Sequence, residues 1–452
     1  PNSKPYMEFF IQISQFLLSL SLLIVLHELG HFIPAKLFKT RVEKFYLFFD
    51  IKYSLFKKKI GDTVYGIGWL PLGGYVKISG MIDESMDTDQ MEKEPQPWEF
   101  RSKPSWQRLI IMLGGVTVNF ILAAIIYIIM AFVYGSNDVD AKSLRGGYLI
   151  SNPVFETIGL KTGDAITAID GSEIIYKSDI RKKIITAKNI TIERGGQSQT
   201  LEFPVDFLGQ LSSSKSKGFI EQRTPFIFYN IMAGSLNYGV DIKPGDLLLT
   251  IDGIAAQFLD QSAPLLQAKK GQTVSITILR NKNLLERSMQ VSQQGKFEVA
   301  TKASLKDFEA AGFCKIITKD YNLGQSIGAG LNQFSETIVG YWAQLKLIFS
   351  PSTGAYKGVG GFKAILDIFP PIWNWQAFWT LTAFLSIMLG VLNLLPIPAL
   401  DGGHVMFLLY EMVSGRKPGD KFMEYAQTVG FFILIALVLF ANGNDIFKAI
   451  FS

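Results

Sequence analysis

The sequence has very few of the residues that build disulfides and metal clusters. Its 452 residues include one cysteine, Cys314, and three histidines, His27, His31 and His404. A single cysteine excludes both an intrachain disulfide and a cysteine-rich metal cluster. Any metal site in this chain must therefore be assembled from histidines and carboxylates.

Charge is also scarce. Charged residues make up 18% of the chain, hydrophobic residues make up 48% and the formal net charge is +5, with a mean hydropathy of +0.24. This composition is too apolar for an ordinary water-soluble protein and too polar for a chain built only of membrane spans. We expect spans together with water-facing domains. No concentrated basic face is visible, which argues against nucleic-acid binding.

Four apolar stretches are long enough to cross a bilayer, which takes about 20 residues per helix. They fall within residues 7–38, 106–134, 373–410 and 425–452. Met7 would suit a natural start, so residues 1–6 are expected to be an added remnant. Lysine and arginine concentrate in residues 39–105 and 411–424, which the positive-inside rule assigns to the cytoplasm. The large block between the second and third spans is then expected outside.

That block contains an internal repeat. Asp164 and Asp170 in the first copy are followed 82 positions later by Asp246 and Asp252, each pair within a Gly-Asp turn and an Ile-Asp-Gly turn. A fixed offset of domain size predicts two copies of one β-rich module. We place them at 135–208 and 209–295, with a segment at 296–372 that carries an amphipathic helix. The repeated pattern resembles bacterial PDZ domains, and two generic β-rich domains remain the alternative.

A short motif inside the first span predicts zinc chemistry. It reads His27-Glu28-Leu29-Gly30-His31. Residues four apart on a helix share a face, so both histidines can bind one Zn²⁺, while Glu28 takes a proton from a water on the metal. A charged residue within an apolar span costs about 2.5–3.5 kcal/mol on insertion scales, which marks Glu28 as a functional candidate.

Zinc needs a third protein ligand, and the end of the third span offers two. Asp401 is the only acidic residue between Leu381 and Tyr410, and His404 follows three residues later. A carboxylate offsets more of the positive charge of zinc, so Asp401 is favoured. His404 is then expected beside the site or in a purely structural role. Pro396 and Pro398 break the helix just before these residues.

Together the two motifs resemble the site-2 protease family of intramembrane zinc metalloproteases, since Asn393 to Gly403 reads N-x-x-P-x-P-x-L-D-G-G. The repeated modules make the chain similar to the bacterial RseP-type branch. The resemblance implies that His27, His31 and Asp401 bind zinc and that Glu28 is the catalytic acid and base. It also implies that Asn393 holds the substrate or stabilises the oxyanion.

The resemblance carries further expectations about partners and location. The substrates would be single-span membrane proteins, pre-cleaved by another protease, such as an anti-sigma factor or remnant signal peptides. The enzyme would be a multi-pass protein of the bacterial inner membrane, with its active site toward the cytoplasm and the PDZ-like domains in the periplasm. Those domains would either bind peptide C-termini or exclude substrates with bulky outer domains.

Two further site assignments depend on glycine-rich segments. Gly66-Ile67-Gly68 resembles the membrane-associated β-structure of the same family and is predicted to offer a strand edge to an extended substrate. The alternative is a turn region without substrate contact. Asn119 follows two glycines in the second span and is predicted to contact substrate or water, or to bond between helices.

The sequence therefore predicts a multi-domain membrane protein. It has four transmembrane α-helices and a membrane-associated β-rich segment, plus two β-rich PDZ-like domains outside the membrane. A catalytically silent membrane PDZ scaffold is the alternative function, and the intact motif with Asp401 argues against it. A zinc protease with a cytosolic site is a third, and the position of the motif in a span argues against that.

Overall fold

The computed structural model describes residues 3–71, 73–81, 94–214, 216, 218–231, 234–302 and 304–451. The chain forms two compact units. One unit, called the membrane unit here, comprises Pro1–Gly135, Asp320–Leu345 and Val359–Ser452. The other, called the module unit, comprises Ser136–Lys319 and Lys346–Gly358.

The α-helices follow one another in this order: α1 Ser3–Leu37, α2 Ser105–Tyr134, α3 Pro153–Thr157, α4 Lys177–Lys183, α5 Phe207–Ser213, α6 Leu259–Ala268, α7 Leu305–Ala310, α8 Leu323–Ile348, α9 Phe362–Asp367, α10 Trp375–Asn393, α11 Asp401–Ser414 and α12 Asp420–Phe451. Short 3-10 helices lie at Phe100–Ser102, Ala141–Ser143, Ile184–Thr186, Pro351–Thr353 and Ala355–Gly358.

The strands of the membrane unit are β1 Val42–Leu47, β2 Phe49–Ile60, β3 Thr63–Leu70 and β4 Tyr75–Ile78. Those of the module unit are β5 Ser136–Val139, β6 Tyr148–Ile150, β7 Ala165–Ile169, β8 Ser172–Glu173, β9 Asn189–Arg194, β10 Gln197–Glu202, β11 Ile220–Gln222, β12 Ile227–Ile231, β13 Leu247–Ile251, β14 Ile254–Ala255, β15 Thr273–Arg280, β16 Asn283–Gln290, β17 Val299–Lys302 and β18 Ile316–Lys319.

Four of the described helices are long and apolar enough to cross a membrane, which confirms the predicted number of candidate spans. They are Tyr6–Leu37, Ser105–Tyr134, Trp375–Asn393 and Lys421–Ile446. The segment 373–410, which was assigned to the third span, contains two helices, with a break at the predicted position of Pro396 and Pro398. The first helix, α10, ends at Asn393 and α11 begins only at Asp401, because Pro396 and Pro398 between them lack the N–H groups that a helix needs.

Small and hydroxyl-bearing residues hold the spans of the membrane unit together. A Cβ on Gly30 would lie 2.3 Å from the carbonyl oxygen of Gly114, so α1 and α2 meet almost backbone to backbone. The hydroxyls of Ser19 and Thr382 are 2.9 Å apart and join α1 to α10. Contacts of both kinds are typical of helices packed within a membrane, where apolar burial provides little driving force.

A four-stranded sheet in the order β2-β3-β1-β4 lies beside α1. Strand β1 runs parallel to β3 and antiparallel to β4. Gly74, which leads into β4, sits so close to the helix that a Cβ would come within 2.5 Å of the Ile24 side chain. Because Ile24 precedes His27 by one turn of α1, the sheet lies at the level of the histidine motif.

The predicted amphipathic helix after the modules is α8. Its aromatic side chains pack on two spans of the membrane unit, with Phe334 at 6.2 Å from the Phe120 ring of α2 and Tyr341 at 6.0 Å from the Phe384 ring of α10. A Cβ on Gly330 would collide with the backbone of Ile128 in α2. Within the membrane unit α8 therefore lies against α2 and α10.

The module unit contains two β-rich parts, each of which includes one copy of the repeated turn motif. The first is built on the sheet β10-β9-β7-β8 and the second on β16-β15-β13-β12-β17. In each part a buried aspartate pairs with an arginine, with Asp164 Oδ1 2.6 Å from Arg194 Nε and Asp246 Oδ2 2.7 Å from Arg280. The first aspartate of the motif therefore makes the same kind of ion pair in both parts.

The predicted module boundaries at 208/209 and 295/296 are wrong. Strand β11 lies beyond the first boundary yet pairs with β6 of the first module, and β17 lies beyond the second boundary yet pairs with β12 of the second. Each module therefore closes with a strand contributed by the chain that follows it. The spacing of short turn motifs in the sequence does not indicate which distant strands pair with one another.

Candidate metal centre

Two histidines and one carboxylate converge at the middle of the membrane unit. On α1, the Nε2 atoms of His27 and His31 lie 3.3 Å apart, as expected for residues one helical turn apart on one face. Asp401 Oδ2 lies 3.3 Å from each of these nitrogens. Both histidines are more than nine-tenths buried. The structure thus brings together the three predicted ligands.

Asp401 reaches the histidines because the chain breaks between α10 and α11. It occupies the first position of α11, directly after the proline-containing loop. Gly402 leaves no room for a side chain, since a Cβ would lie 2.2 Å from the carbonyl oxygen of Leu395. On the other side, Gly430 of α12 packs against the Pro398 carbonyl. The loop therefore packs closely against the first turn of α11 and against α12.

The three atoms fit a zinc ion. In a tetrahedral site with bonds of about 2.0–2.1 Å, ligand atoms are separated by about 3.3–3.4 Å, which matches the three separations of 3.3 Å. Asp401 Oδ2 is buried and has no hydrogen-bond partner among the described residues. Three acceptor atoms that face one another in a buried site require a cation, so His27, His31 and Asp401 could hold the metal.

The Nδ1 atom of each histidine ring also lies within hydrogen-bond distance of a group on α2. His31 Nδ1 lies 2.8 Å from the carbonyl oxygen of Ile111, which can only accept, so the proton is on Nδ1 and Nε2 is free for a metal. His27 Nδ1 lies 3.0 Å from the amide nitrogen of Asn119, whose buried Oδ1 has no partner among the described residues. If the Asn119 amide is flipped, so that Oδ1 and Nδ2 exchange positions, Oδ1 accepts a hydrogen bond from His27 Nδ1–H. This is the arrangement that a metal bound to His27 Nε2 requires.

Gly115 makes the space for both imidazoles. A Cβ there would lie 2.4 Å from His31 Nε2 and 2.6 Å from His27 Cε1. Gly115 was not among the site residues predicted from the sequence, although a pair of adjacent glycines in a span, Gly114 and Gly115, was a signal for close packing. Gly115 and the carbonyl of Ile111 both belong to α2, so this helix forms one wall of the metal centre.

A cavity of about 510 Å³ opens onto the three ligands. Glu28 is half-buried at its wall, and its carboxylate interacts with the backbone of Val76 in β4. Asn393 also lines the cavity, with its amide nitrogen 3.4 Å from His27 Nε2. Glu28, predicted as catalytic, and Asn393, predicted to bind substrate, thus line the same cavity as the three ligands.

His404 lies in the same cavity but outside the ligand trio. Its Nε2 is 2.8 Å from the amide nitrogen of Gln427 on α12. The group of metal-binding side chains found among the described residues contains Asp401 and not His404. Gln427 was not predicted as a site residue, because the sequence of a single apolar span does not indicate which neighbouring helix each of its side chains contacts.

The prediction that Gly66-Ile67-Gly68 offers a strand edge is wrong. These residues lie in β3, which is paired with β1 on one side and with β2 on the other. Gly66 instead makes room for the Tyr46 ring, which a Cβ would meet at 2.3 Å. The strand at the cavity is β4, an edge strand among the described residues, and Gly74 to Ile78 line the cavity.

A buried trio of two histidines and one aspartate, with a glutamate on the same membrane-crossing helix, defines a membrane-embedded metal hydrolase. The chain matches the model of Peptidase family M50 over residues 15–437. It therefore belongs to this family, the site-2 protease family, and is a membrane protein and a zinc metalloendopeptidase.

Relatives of full length support this assignment. The chain is 28% identical over 430 residues to a protein of Clostridium acetobutylicum, covering 95% of this chain and 96% of the relative. It is 28% identical over 434 residues to a protein of Campylobacter jejuni, covering 96% and 92%. A protein of Fusobacterium nucleatum is also 28% identical over 434 residues, covering 95% and 96%. All three relatives are named "Putative zinc metalloprotease".

Proposed function

We propose that this enzyme hydrolyses peptide bonds within the membrane-spanning segments of single-span membrane proteins. The observation that carries the proposal is the convergence of Asp401 on His27 and His31, which lie within a helix long and apolar enough to cross a membrane. A site within a membrane-spanning helix meets a transmembrane segment of another protein rather than a soluble chain.

In the proposed mechanism His27, His31 and Asp401 would hold the zinc ion, which would lower the pKa of a water molecule and polarise the scissile carbonyl. Glu28, adjacent to His27 and at the cavity wall, accepts the proton of the attacking water and delivers it to the leaving amine. Asn393, whose amide nitrogen lies 3.4 Å from His27 Nε2, donates a hydrogen bond to the oxygen of the carbonyl under attack.

The substrate must unwind before it can be cut, because a helical carbonyl is already hydrogen-bonded. Unwinding leaves backbone groups without partners in a low-polarity site, which costs several kcal/mol per group in hydrocarbon. We propose that the substrate pairs as a strand with the edge of β4, whose residues line the cavity. In this role β4 replaces the segment around Gly66.

The finer features of the resemblance complete the proposal. The enzyme would belong to the RseP-type branch, in the bacterial inner membrane, with its active site toward the cytoplasm. The two modules would be periplasmic PDZ domains that bind peptide C-termini or exclude bulky outer domains. Substrates pre-cleaved elsewhere, such as an anti-sigma factor or remnant signal peptides, fit this arrangement. A silent scaffold would not need the complete set of zinc-binding and catalytic residues.

Glu28→Gln tests the mechanism. The variant should bind zinc as the wild type does and lose cleavage by at least about a thousandfold, because the amide cannot accept the proton of the attacking water. Cleavage of a single-span substrate in lipid nanodiscs would be followed by mass spectrometry, with zinc measured by atomic emission.

The matched control is Glu8→Gln, an exposed glutamate at the other end of α1. It should cleave and bind zinc normally. Full activity of Glu28→Gln would contradict the assigned role, and a wild-type protein that holds zinc but cuts no membrane substrate would favour the scaffold.

A further inference from the structure

Away from the zinc ligands, the wall of the same cavity carries a second group of polar side chains. It consists of Lys44 on β1, Asp50 on β2 and Tyr75 on β4, called the polar cluster here. The Tyr75 hydroxyl donates to Asp50 Oδ1 over 2.7 Å, and Lys44 Nζ lies 3.2 Å from that hydroxyl. Lys44 Nζ is 3.7 Å from Asp50 Oδ2. All three residues line the cavity.

The packing of the Tyr75 ring does not depend on its hydroxyl group. Tyr75 stacks on Tyr46 at 5.4 Å and on Phe49 at 6.1 Å, contacts that phenylalanine would make equally well. Lys44 and Asp50 form a partly exposed ion pair on the cavity wall, and such pairs contribute little to stability. Polar groups retained in such a place are candidates for contact with a ligand.

Neither charge is fully satisfied by the other. The separation of 3.7 Å between Lys44 Nζ and Asp50 Oδ2 is longer than a hydrogen bond. The Lys44 side chain is 41% exposed and that of Asp50 is 21% exposed. Ser54 is a weaker partner of Asp50, at 3.4 Å. The cluster therefore keeps free capacity to donate from the ammonium and to accept at the carboxylate.

The cluster lies within reach of the bond to be cut. Tyr75 directly precedes Val76 in β4, and the backbone of Val76 interacts with Glu28. A strand advances about 3.3 Å per residue and alternates its side chains between two faces. A substrate strand on the β4 edge would therefore turn one side chain toward Tyr75 and Lys44, within about two residues of the scissile bond.

We propose that the polar cluster is a specificity subsite that binds an amide side chain, asparagine or glutamine, of the unwound substrate. An amide carries one acceptor for the Lys44 ammonium and two donors for the Asp50 carboxylate, so it satisfies both at once. Leucine would offer neither group a further hydrogen bond, and an acidic or basic side chain would match one and repel the other. This inference depends on the proposed intramembrane cleavage and names a feature of its substrates.

The test uses the full-length enzyme in nanodiscs and a single-span substrate with a leucine-rich membrane segment. Each position around the cut is changed in turn to asparagine, glutamine or leucine, and kcat/KM is measured. We expect one position at which the amides are preferred over leucine by about tenfold or more, since a site built for hydrogen bonds disfavours a side chain that cannot make them.

Asparagine also weakens a helix and speeds unwinding wherever it stands, so a preference alone is insufficient. Asp50→Ala separates the two causes, because a preference that comes from unwinding persists in the variant and one that comes from the cluster falls to within about threefold. Tyr75→Phe, which keeps the ring and removes the donor to Asp50, should reduce the preference partially. Asp62→Asn, in the exposed turn between β2 and β3, is the matched control and should change neither rate nor preference.

Each outcome either supports or contradicts the proposed subsite. Loss of the preference in Asp50→Ala with zinc retained supports the subsite, and a reduced preference in Tyr75→Phe supports it even if Asp50→Ala does not fold. An unchanged preference in both variants, or cleavage of all substrates without any preferred position, overturns the subsite and leaves the proposed protease intact. If the wild type cuts no membrane substrate, the proposed function fails and the subsite with it.

Discussion

The metal centre and the polar cluster lie in one cavity but are built in opposite ways. At the metal centre the Nδ1 atoms of His27 and His31 are held by Asn119 and by the Ile111 carbonyl. In the polar cluster, separations range from 2.7 to 3.7 Å and Lys44 is 41% exposed. A reaction requires ligand atoms fixed in advance, whereas recognition requires groups that remain available. This contrast can be tested at four positions.

The largest effect is expected at Asp401. Asp401→Asn preserves size but removes the negative charge that faces the histidines, so zinc should fall below stoichiometric amounts and cleavage below detection. Elemental analysis of the purified protein and the nanodisc assay measure both. His404→Asn is the control and should keep its zinc. The reverse result would make His404 the third ligand and would contradict the grouping around Asp401.

Gly115→Ala should have the next largest effect. The added methyl group would lie 2.4 Å from His31 Nε2, so the ring must move and zinc affinity should fall by about a hundredfold or more, as measured by competition with a chelator. Gly340→Ala on α8 is the matched control, because a Cβ there has nothing within 4 Å. It should leave zinc affinity unchanged and stabilise the helix by up to about 1 kcal/mol. Equal zinc affinities in the two variants would show that α2 does not shape the site.

Asn119→Ala should weaken zinc binding moderately. Removing the outer partner of a metal-binding histidine typically costs about 10- to 100-fold in metal affinity or activity. The sequence alone predicted contact with substrate or water, which would instead raise KM and leave zinc affinity unchanged. Asn332→Ala, an exposed asparagine of α8 that bonds Glu336 at 2.7 Å, serves as the control and should change neither quantity.

The smallest effect is expected for Tyr75→Phe. Loss of the hydrogen bond to Asp50 should lower the free energy of unfolding by about 0.5–1.5 kcal/mol, visible as a small decrease in Tm, with zinc content unchanged. Tyr53→Phe is the control, since Tyr53 is exposed and stacks on Trp69. Loss of zinc in Tyr75→Phe would mean that the two ends of the cavity are coupled.

Some of the site could be predicted because its chemistry is local. His27 and His31 are one helical turn apart, and helix geometry alone places their side chains together. The four candidate spans follow from the length of apolar runs. Asp401 was predictable as an isolated acid in a long apolar stretch, although no local rule states that it meets α1.

Other predictions failed because strand pairing depends on residues that are far apart in the sequence. Gly66 and Gly68 suggested an edge, yet pairing with β1 and β2 put β3 inside the sheet and left β4 at the cavity. Module boundaries failed for the same reason, since β11 and β17 pair with strands far back in the chain. The polar cluster escaped notice because its residues come from three strands.

The sequence by itself determined the class of chemistry, the candidate spans and the recurrence of one turn motif, because each depends on spacing along one helix, one apolar run or one recurring turn. Only the tertiary structure decided which strand borders the cavity, which helix holds the histidine rings and which polar groups share the space with Glu28. Those features depend on contacts between residues far apart in the chain, which the spacing of residues along the sequence does not encode.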